Sequence, residues 1–509
     1  GARLKPCQRR ARLGADHHNL RQRSMKIIIL GAGRVGYSVA ESLVSERNDI
    51  TVIDTDAQRL RDLESRFDLR GVVGSGIDPQ VLAEAGAADT DLLITCAALD
   101  ETNLVCCKLG QLFFNIPSRI ARVRSSSFVV DDVVLGKDGL GADAIICPEA
   151  SLTRYIGKLT ESPEALQVRE FAGGRACLAS VRARLGAPAV GMRIGEMRIH
   201  NAELGLRIVA IYRRFSDEPD RFVRCDGGTL IEPGDEVFVL SAREHLPEIL
   251  AALHRPAGQA ARPVRRIMIA GGGRVAHRLA AQLAQQPGRF HIKILEVNPQ
   301  RCMALAASLP EDVLVLQGDA TDEDLLDDES IEDVDLFLAL TNDDENNIMA
   351  CLLAKRLGAT RVLALINRRT YADLMHGTQI DIALSPAQAM LGELLAHVRR
   401  GDVQAVHSLR RGVAEALEIV ARGDRKSSRV VGRKVEELKL PPEVHIGLIV
   451  RGLPVQGEAT VSVEEGEPQV IIPRSHTVIE SNDHVVFFLP NKRLVQDVEK
   501  LFRVSATFF

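Results

Sequence analysis

Gly31, Gly33 and Gly36 stand in the string GAGRVG directly after the apolar run KIIIL, and Asp54 closes the next apolar run. Glycines at this spacing suit one chemistry. The first permits a tight turn, the second lets backbone approach a pyrophosphate, and the third lets helix and strand pack closely, with phosphate on the helix N-terminus. A carboxylate about 20 residues further on accepts hydrogen bonds from ribose hydroxyls and repels a 2′-phosphate, which favours NAD or an adenine nucleotide over NADP.

The pattern returns late in the chain as GGGRVA, with Gly271, Gly272, Gly273, Arg274 and Val275, then Ala276 at the third position and Glu296 in place of Asp54. Ala is accepted at the third position, and Glu makes the same contact from slightly farther out. Gly31 pairs with Gly271, Asp54 with Glu296, Asp100 with Asp344 and Asn103 with Asn347, at offsets of 240, 242, 244 and 244. Such small drifts mark a duplicated domain whose loops changed length. The segments ITCAALDETN and LALTNDDENN place Ala97, Ala98, Thr341 and Asn342 at the carboxyl edge of the two sheets, where ligands bind. The acids after them are expected as helix caps and first-turn residues. Asp343, Asp344 and Glu345 lack the spacing of a defined metal site.

Other chemistries lack their residues. Hydride transfer needs a proton donor or acceptor beside the nicotinamide; no Tyr precedes a Lys by four positions, and Tyr155 and Lys158 are three apart. The 13 His residues form no paired motif, and no P-loop is present. This points to a sensor, not an enzyme, with an NAD-dependent oxidoreductase as the alternative. A net charge of -4 with mixed signs argues against nucleic acid as a partner. No run approaches the roughly 20 apolar residues of a membrane span. Nine cysteines without a C-x-x-C pair fit a reducing cytoplasm, with Cys106 and Cys107 packing a helix.

The elements that must position these residues are strands alternating with amphipathic stretches. KIIILG, DITVID, RGVVGS, DLLITC, SRIARVR and DAIICP read as strands of a parallel sheet covered by helices, an α/β doubly wound fold. After each copy come about 100 residues of short Val/Ile runs with Pro-Gly or Ser-Asn turns, a small α+β module. The expected organisation is a non-native or disordered extension over 1–24, a Rossmann-like domain over 25–148, its module over 149–258, a second Rossmann-like domain over 264–385 and its module over 386–509.

MKIIILGAGRVGYSVAESL with ITVIDTD, DETN, RIARVRS and the IEPGDEVFVL module, followed by a complete second copy, closely resembles the TrkA-type peripheral subunit of bacterial potassium uptake systems. The resemblance covers Met25 to about Phe502. It implies tandem RCK (KTN) domains, each with a TrkA-C-like module, assembled as a homo-oligomeric cytosolic ring beneath a membrane-embedded Trk-type potassium translocation subunit. It also implies nucleotide contacts, with NAD(H) and ATP or ADP as ligands. By position these fall on Gly31, Ala32, Gly33, Arg34, Val35, Gly36, Asp54, Ala97, Ala98 and Arg122 in the first copy. In the second they fall on Gly271, Gly272, Gly273, Arg274, Val275, Glu296, Thr341 and Asn342. Aligning the copies sets Ala364 opposite Arg122, leaving that arginine without a counterpart.

Overall fold

The computed structural model describes residues 25–44, 48–125, 128, 135, 138–200, 205–215, 220–223, 225–368, 371, 379–398, 402–409, 413–453 and 468–504; the expected extension over 1–24 lies outside them. In the first copy β1 (Lys26–Leu30), β2 (Asp49–Asp54), β3 (Arg70–Val73), β4 (Leu92–Thr95), β5 (Ser118–Arg122) and β6 (Ala144–Ile146) form one parallel sheet, ordered β3-β2-β1-β4-β5-β6. All six apolar runs expected as strands are there. Helices α1 (Arg34–Val44), α2 (Ala57–Glu64), α3 (Pro79–Glu84) and α4 (Asp100–Phe114) cover its faces, and α5 (Pro148–Glu161) leads away from β6.

The module that follows is an antiparallel sheet of β7 (Ala165–Phe171), β8 (Ala176–Arg182), β9 (Leu206–Arg213), β10 (Arg221–Val223) and β11 (Glu236–Ala242), in the order β10-β9-β11-β8-β7. Helices α6 (Ile194–His200) and α7 (Leu246–His254) complete it. The second copy repeats the plan. Its parallel sheet has β12 (Arg266–Ala270), β13 (His291–Glu296), β14 (Val313–Gln317), β15 (Leu336–Ala339), β16 (Arg361–Leu365) and β17 (Ile382–Leu384), ordered like the first. Its helices are α8 (Arg274–Ala284), α9 (Pro299–Ser308), α10 (Glu323–Asp328), α11 (Asp344–Arg356) and α12 (Pro386–Val398). The second module has β18 (Val403–Leu409), β19 (Ala414–Val420), β20 (His445–Arg451), β21 (Gln469–Ile471) and β22 (His484–Leu489), and ends in α13 (Val495–Phe502).

Period-two alternation sends successive side chains of a strand to opposite faces, and β1 shows the result. Ile27 and Ile29 join one apolar core, while Ile28 and Leu30 join another under α3 and α4. The larger cores cross between copies. Ile267 and Ile269 of the second sheet and Leu279 of α8 share a core with α5, α7 and the first module, whereas the first sheet shares one with α12 and the second module. Helices α5 and α8 pack together, as do α12 and α1. The remaining module faces, with Phe238, Leu240, Leu448 and Phe488, meet in a core of their own. The chain is therefore a closed, internally paired structure, in which each module packs against the Rossmann-like sheet of the other copy.

Candidate functional site

The first glycine turn lies where the sheet order reverses, between β1 and β4. Gly31 has φ +101°, and a Cβ there would come 3.0 Å from the backbone of Cys96 and Ala97, so the turn needs glycine. At Gly36 a Cβ would stand 1.8 Å from the Gly31 carbonyl oxygen, the close helix and strand approach expected of the third glycine. Gly33 is different. Nothing lies within 4 Å of where its Cβ would be, and the same holds for Gly273 in the second turn. No protein atom requires glycine at either position, whereas a pyrophosphate resting on the backbone would.

Asp54 fastens the turn to the strand end. Its Oδ2 accepts from Ala32 N at 2.6 Å and its Oδ1 from Asp56 N at 2.8 Å, leaving carboxylate lone pairs for ribose hydroxyls. Glu296 repeats this, accepting from Gly272 N at 2.7 Å and from Asn298 N at 2.9 Å. Its extra methylene is accommodated at the turn, because a Cβ on Gly272 would lie 3.2 Å from Glu296 Cγ. The Ala32 with Asp54 pair of the first copy has become Gly272 with Glu296.

The strand-end segments are held by Asn103 and Asn347, which in the sequence stand out only as matched positions of the repeat. Asn103, fully buried, accepts from Ala97 N at 2.8 Å and donates to the carbonyls of Ala97 and Arg122 at 3.1 and 2.9 Å. Asn347 does the same for Thr341 N, Thr341 O and Leu365 O. An amide at the same place on a mostly apolar helix face in both copies is the signal that marks them. Asp100 and Asp344 stand in the first turns of α4 and α11, as expected, and each carboxylate also ties down the backbone beyond the next strand, at Arg124 and Ser125 N or at Asn367 and Arg368 N. Asp343 does cap α11, accepting from Asn346 N, and Glu345 bonds Arg368 and Tyr371. All three acids that could have suggested a cation site are thus engaged, and no metal-holding cluster occurs among the described residues.

Register corrects one equivalence. Thr95 pairs with Ala121 and Ala339 with Ala364, so Leu365, not Ala364, is the counterpart of Arg122. SRIAR of β5 and RVLAL of β16 match end to end, one residue off the sequence alignment. The arginine still has no partner cation in the second copy.

Both turns open into one cleft of about 1540 Å³, larger than the roughly 300–1,000 Å³ of an ordinary single-ligand pocket. Gly31, Gly33, Arg34, Val35, Asp54, Ala97, Ala98 and Arg122 line it from the first copy, and Gly272, Gly273, Arg274, Val275 and Asn342 from the second. Ala32, Gly36, Gly271, Glu296 and Thr341 are not among its lining residues and stand immediately behind the wall, in the backbone bonds and packing just described. Arg59, Arg124, Arg278 and Arg301 also line the cleft and carried no motif signal. Its walls hold seven arginines against three carboxylates, Asp54, Asp100 and Glu149, in a chain whose net charge is -4. A cleft of this kind concentrates anions.

Tyr155 and Lys158, the nearest approach to a catalytic pair, are structural. Arg169 stacks on the Tyr155 ring at 4.1 Å, burial raises the phenol's pKa, and Lys158 pairs with Glu170. Cys106 and Cys107 are buried, and burial raises both thiol pKa values, that of Cys107 to about 12.

The TrkA-N domain family model matches residues 27–148 and again 267–386, and the TrkA-C domain model matches 178–254. The Trk system potassium uptake protein TrkA of Halomonas elongata is 46% identical over 485 residues, covering 95% of this chain and all of the relative. The protein of the same name from Vibrio alginolyticus is 45% identical, with the same coverage. This chain belongs to the TrkA family. Its TrkA relatives are named as potassium uptake proteins and not as enzymes. Among solved structures, the GsuK RCK domain matches with a TM-score of 0.56 at 19% identity, over 95% of this chain and 96% of that one. The GsuK channel bound to NAD matches with a TM-score of 0.56 at 18% identity, over 95% and 79%. The TrkA fold seen here is thus a tandem RCK architecture. No helix among the described residues is long and apolar enough to cross a membrane.

Proposed function

We propose that this chain is a cytosolic, peripheral regulatory subunit of a Trk-type potassium uptake system, gating a membrane-embedded translocation subunit in response to NAD(H), ATP or ADP. The observation that carries the reading is the pair of open cradles at Gly33 and Gly273, glycines required by no protein atom and facing an arginine-rich cleft. The first site is assigned to Gly31, Ala32, Gly33, Arg34, Val35, Gly36, Asp54, Ala97, Ala98 and Arg122. The second is assigned to Gly271, Gly272, Gly273, Arg274, Val275, Glu296, Thr341 and Asn342.

Pyrophosphate rests on each turn, and ribose hydroxyls donate to Asp54 or Glu296. Because both sites share one cleft between interlocked copies, ligand binding bears on how the copies are set against each other. A ligand drives gating only through differential affinity for two states. Calorimetric titration of the full chain with NADH, ATP and ADP, with absorbance followed for turnover, tests the reading. Saturable binding with NADH absorbance unchanged supports it. Failure of all three ligands to bind contradicts it, and steady NADH consumption with a small substrate moves the assignment to an oxidoreductase.

A further inference from the structure

We infer that Glu149 is a built-in competitor for the phosphate end of the first site, so that this site selects its ligand by charge; the inference rests on the nucleotide reading above. Arg122 ends β5 in the cleft wall and is 8% exposed. Its guanidinium is poorly matched. Nη2 lies 3.7 Å from Glu149 Oε1, Nη1 reaches Ala97 O at 3.5 Å, and the buried Nε has no partner. The second oxygen of Glu149, Oε2, is also buried and unpartnered. A partly buried ion pair with unmade hydrogen bonds on both sides is a costly arrangement. An anion in the cleft would correct the arginine's half of it.

The duplication supplies an internal control. Arg122 corresponds to Leu365, and Cys147-Pro148-Glu149 corresponds to Ser385-Pro386-Ala387. Cation and acid occur together in the first copy and are both missing from the second. If Glu149 served only the dipole of α5, α12 would be expected to keep an acid in its first turn, and it has none. The acid therefore goes with the arginine and not with the helix.

Phosphate oxygens take a guanidinium in two parallel hydrogen bonds, which the 3.7 Å carboxylate contact does not provide. A terminal phosphate reaching Arg122 displaces Glu149, and like-charge repulsion drives the carboxylate away. AMP, whose single phosphate stays on the glycine turn, leaves the pair in place. The exchange is also felt by the second copy. Glu149 lies in the first turn of α5, which packs on α8, and Arg278 of α8 donates to the adjacent Cys147 Sγ at 3.5 Å.

The test is titration of the full chain with ATP and with AMP, in chelator and without divalent cations, for wild type, Glu149→Gln, Arg122→Gln and the double variant. Glu149→Gln is expected to tighten ATP binding about three- to five-fold, the upper end for a partly exposed ion pair, while AMP changes less than two-fold. Arg122→Gln weakens ATP, and in its background the Glu149 substitution no longer helps. If Glu149→Gln weakens ATP or leaves it unchanged, or if its gain survives without Arg122, the competitor role is wrong although the site stands. Wild type binding neither nucleotide would overturn the site itself, and this inference with it.

Discussion

Gly33 and Gly36 are three positions apart and are glycine for opposite reasons. A side chain at Gly36 would collide with the turn's own backbone, whereas one at Gly33 would project into empty cleft. The motif separates the two by position, the second glycine for pyrophosphate approach and the third for helix and strand packing. Charge at single residues was less legible. His407 sits edge-on to Phe171 and donates from Nε2 to Glu170 O at 3.0 Å. Burial, with Arg169 and Lys158 nearby, pushes its pKa down to about 3. A depressed folded-state pKa contributes stability above the unfolded value and loses it as pH falls toward the folded one. His407 is therefore expected to withdraw up to about 2 kcal/mol between neutral pH and pH 5. His254 and His397 are shifted the same way by burial, so denaturant unfolding of His407→Gln should show a shallower acid slope and not a flat one. An unchanged slope would refute the assignment.

Strands and helices of the two parallel sheets were readable because continuous apolar runs alternated with helical periods, and every run quoted as a first-copy strand became one. Periodicity tells which face of an element is apolar, but not which apolar face it meets. The crossing of the cores was therefore not legible, although α5 held a clue. It buries residues around most of its circumference, as a helix clasped between two partners must. Asn103 shows how one polar side chain on such an element sets the site. Asn103→Ala removes three hydrogen bonds and leaves buried backbone groups unpaired, so it is expected to cost about 2–4 kcal/mol. It should also weaken nucleotide at the first site at least ten-fold while sparing the second, and Asn347→Ala should do the reverse. Thermal melting and calorimetry check this, and equal loss at both sites from either variant would contradict it.

At the scale of the molecule, the two modules close on each other where their sheets meet. Ala172 N donates to Glu418 at 2.9 Å across this boundary, and Gly447 lies so near Leu240 that a Cβ would come 2.1 Å from its Cδ1. Gly447→Val is expected to cost about 1–3 kcal/mol by overpacking while leaving nucleotide stoichiometry intact, since the cleft is built elsewhere; denaturant unfolding and titration of the same variant separate the two effects. Duplication was evident from matched residues at nearly constant offset, but closure of the duplicate on itself depended on long-range packing that no local pattern encodes. The functional account depends on that closure, because it brings two glycine turns into one basic cleft. The most direct test is the number of nucleotides bound per chain, measured by calorimetry for wild type, Gly33→Val and Gly273→Val, with melting followed in parallel. The account predicts two sites in wild type and one in each variant, with melting unchanged because a Cβ at either position meets no protein atom within 4 Å. Full binding in both variants, or lost binding that tracks lost folding, would mean that the open cradles are not where nucleotide rests.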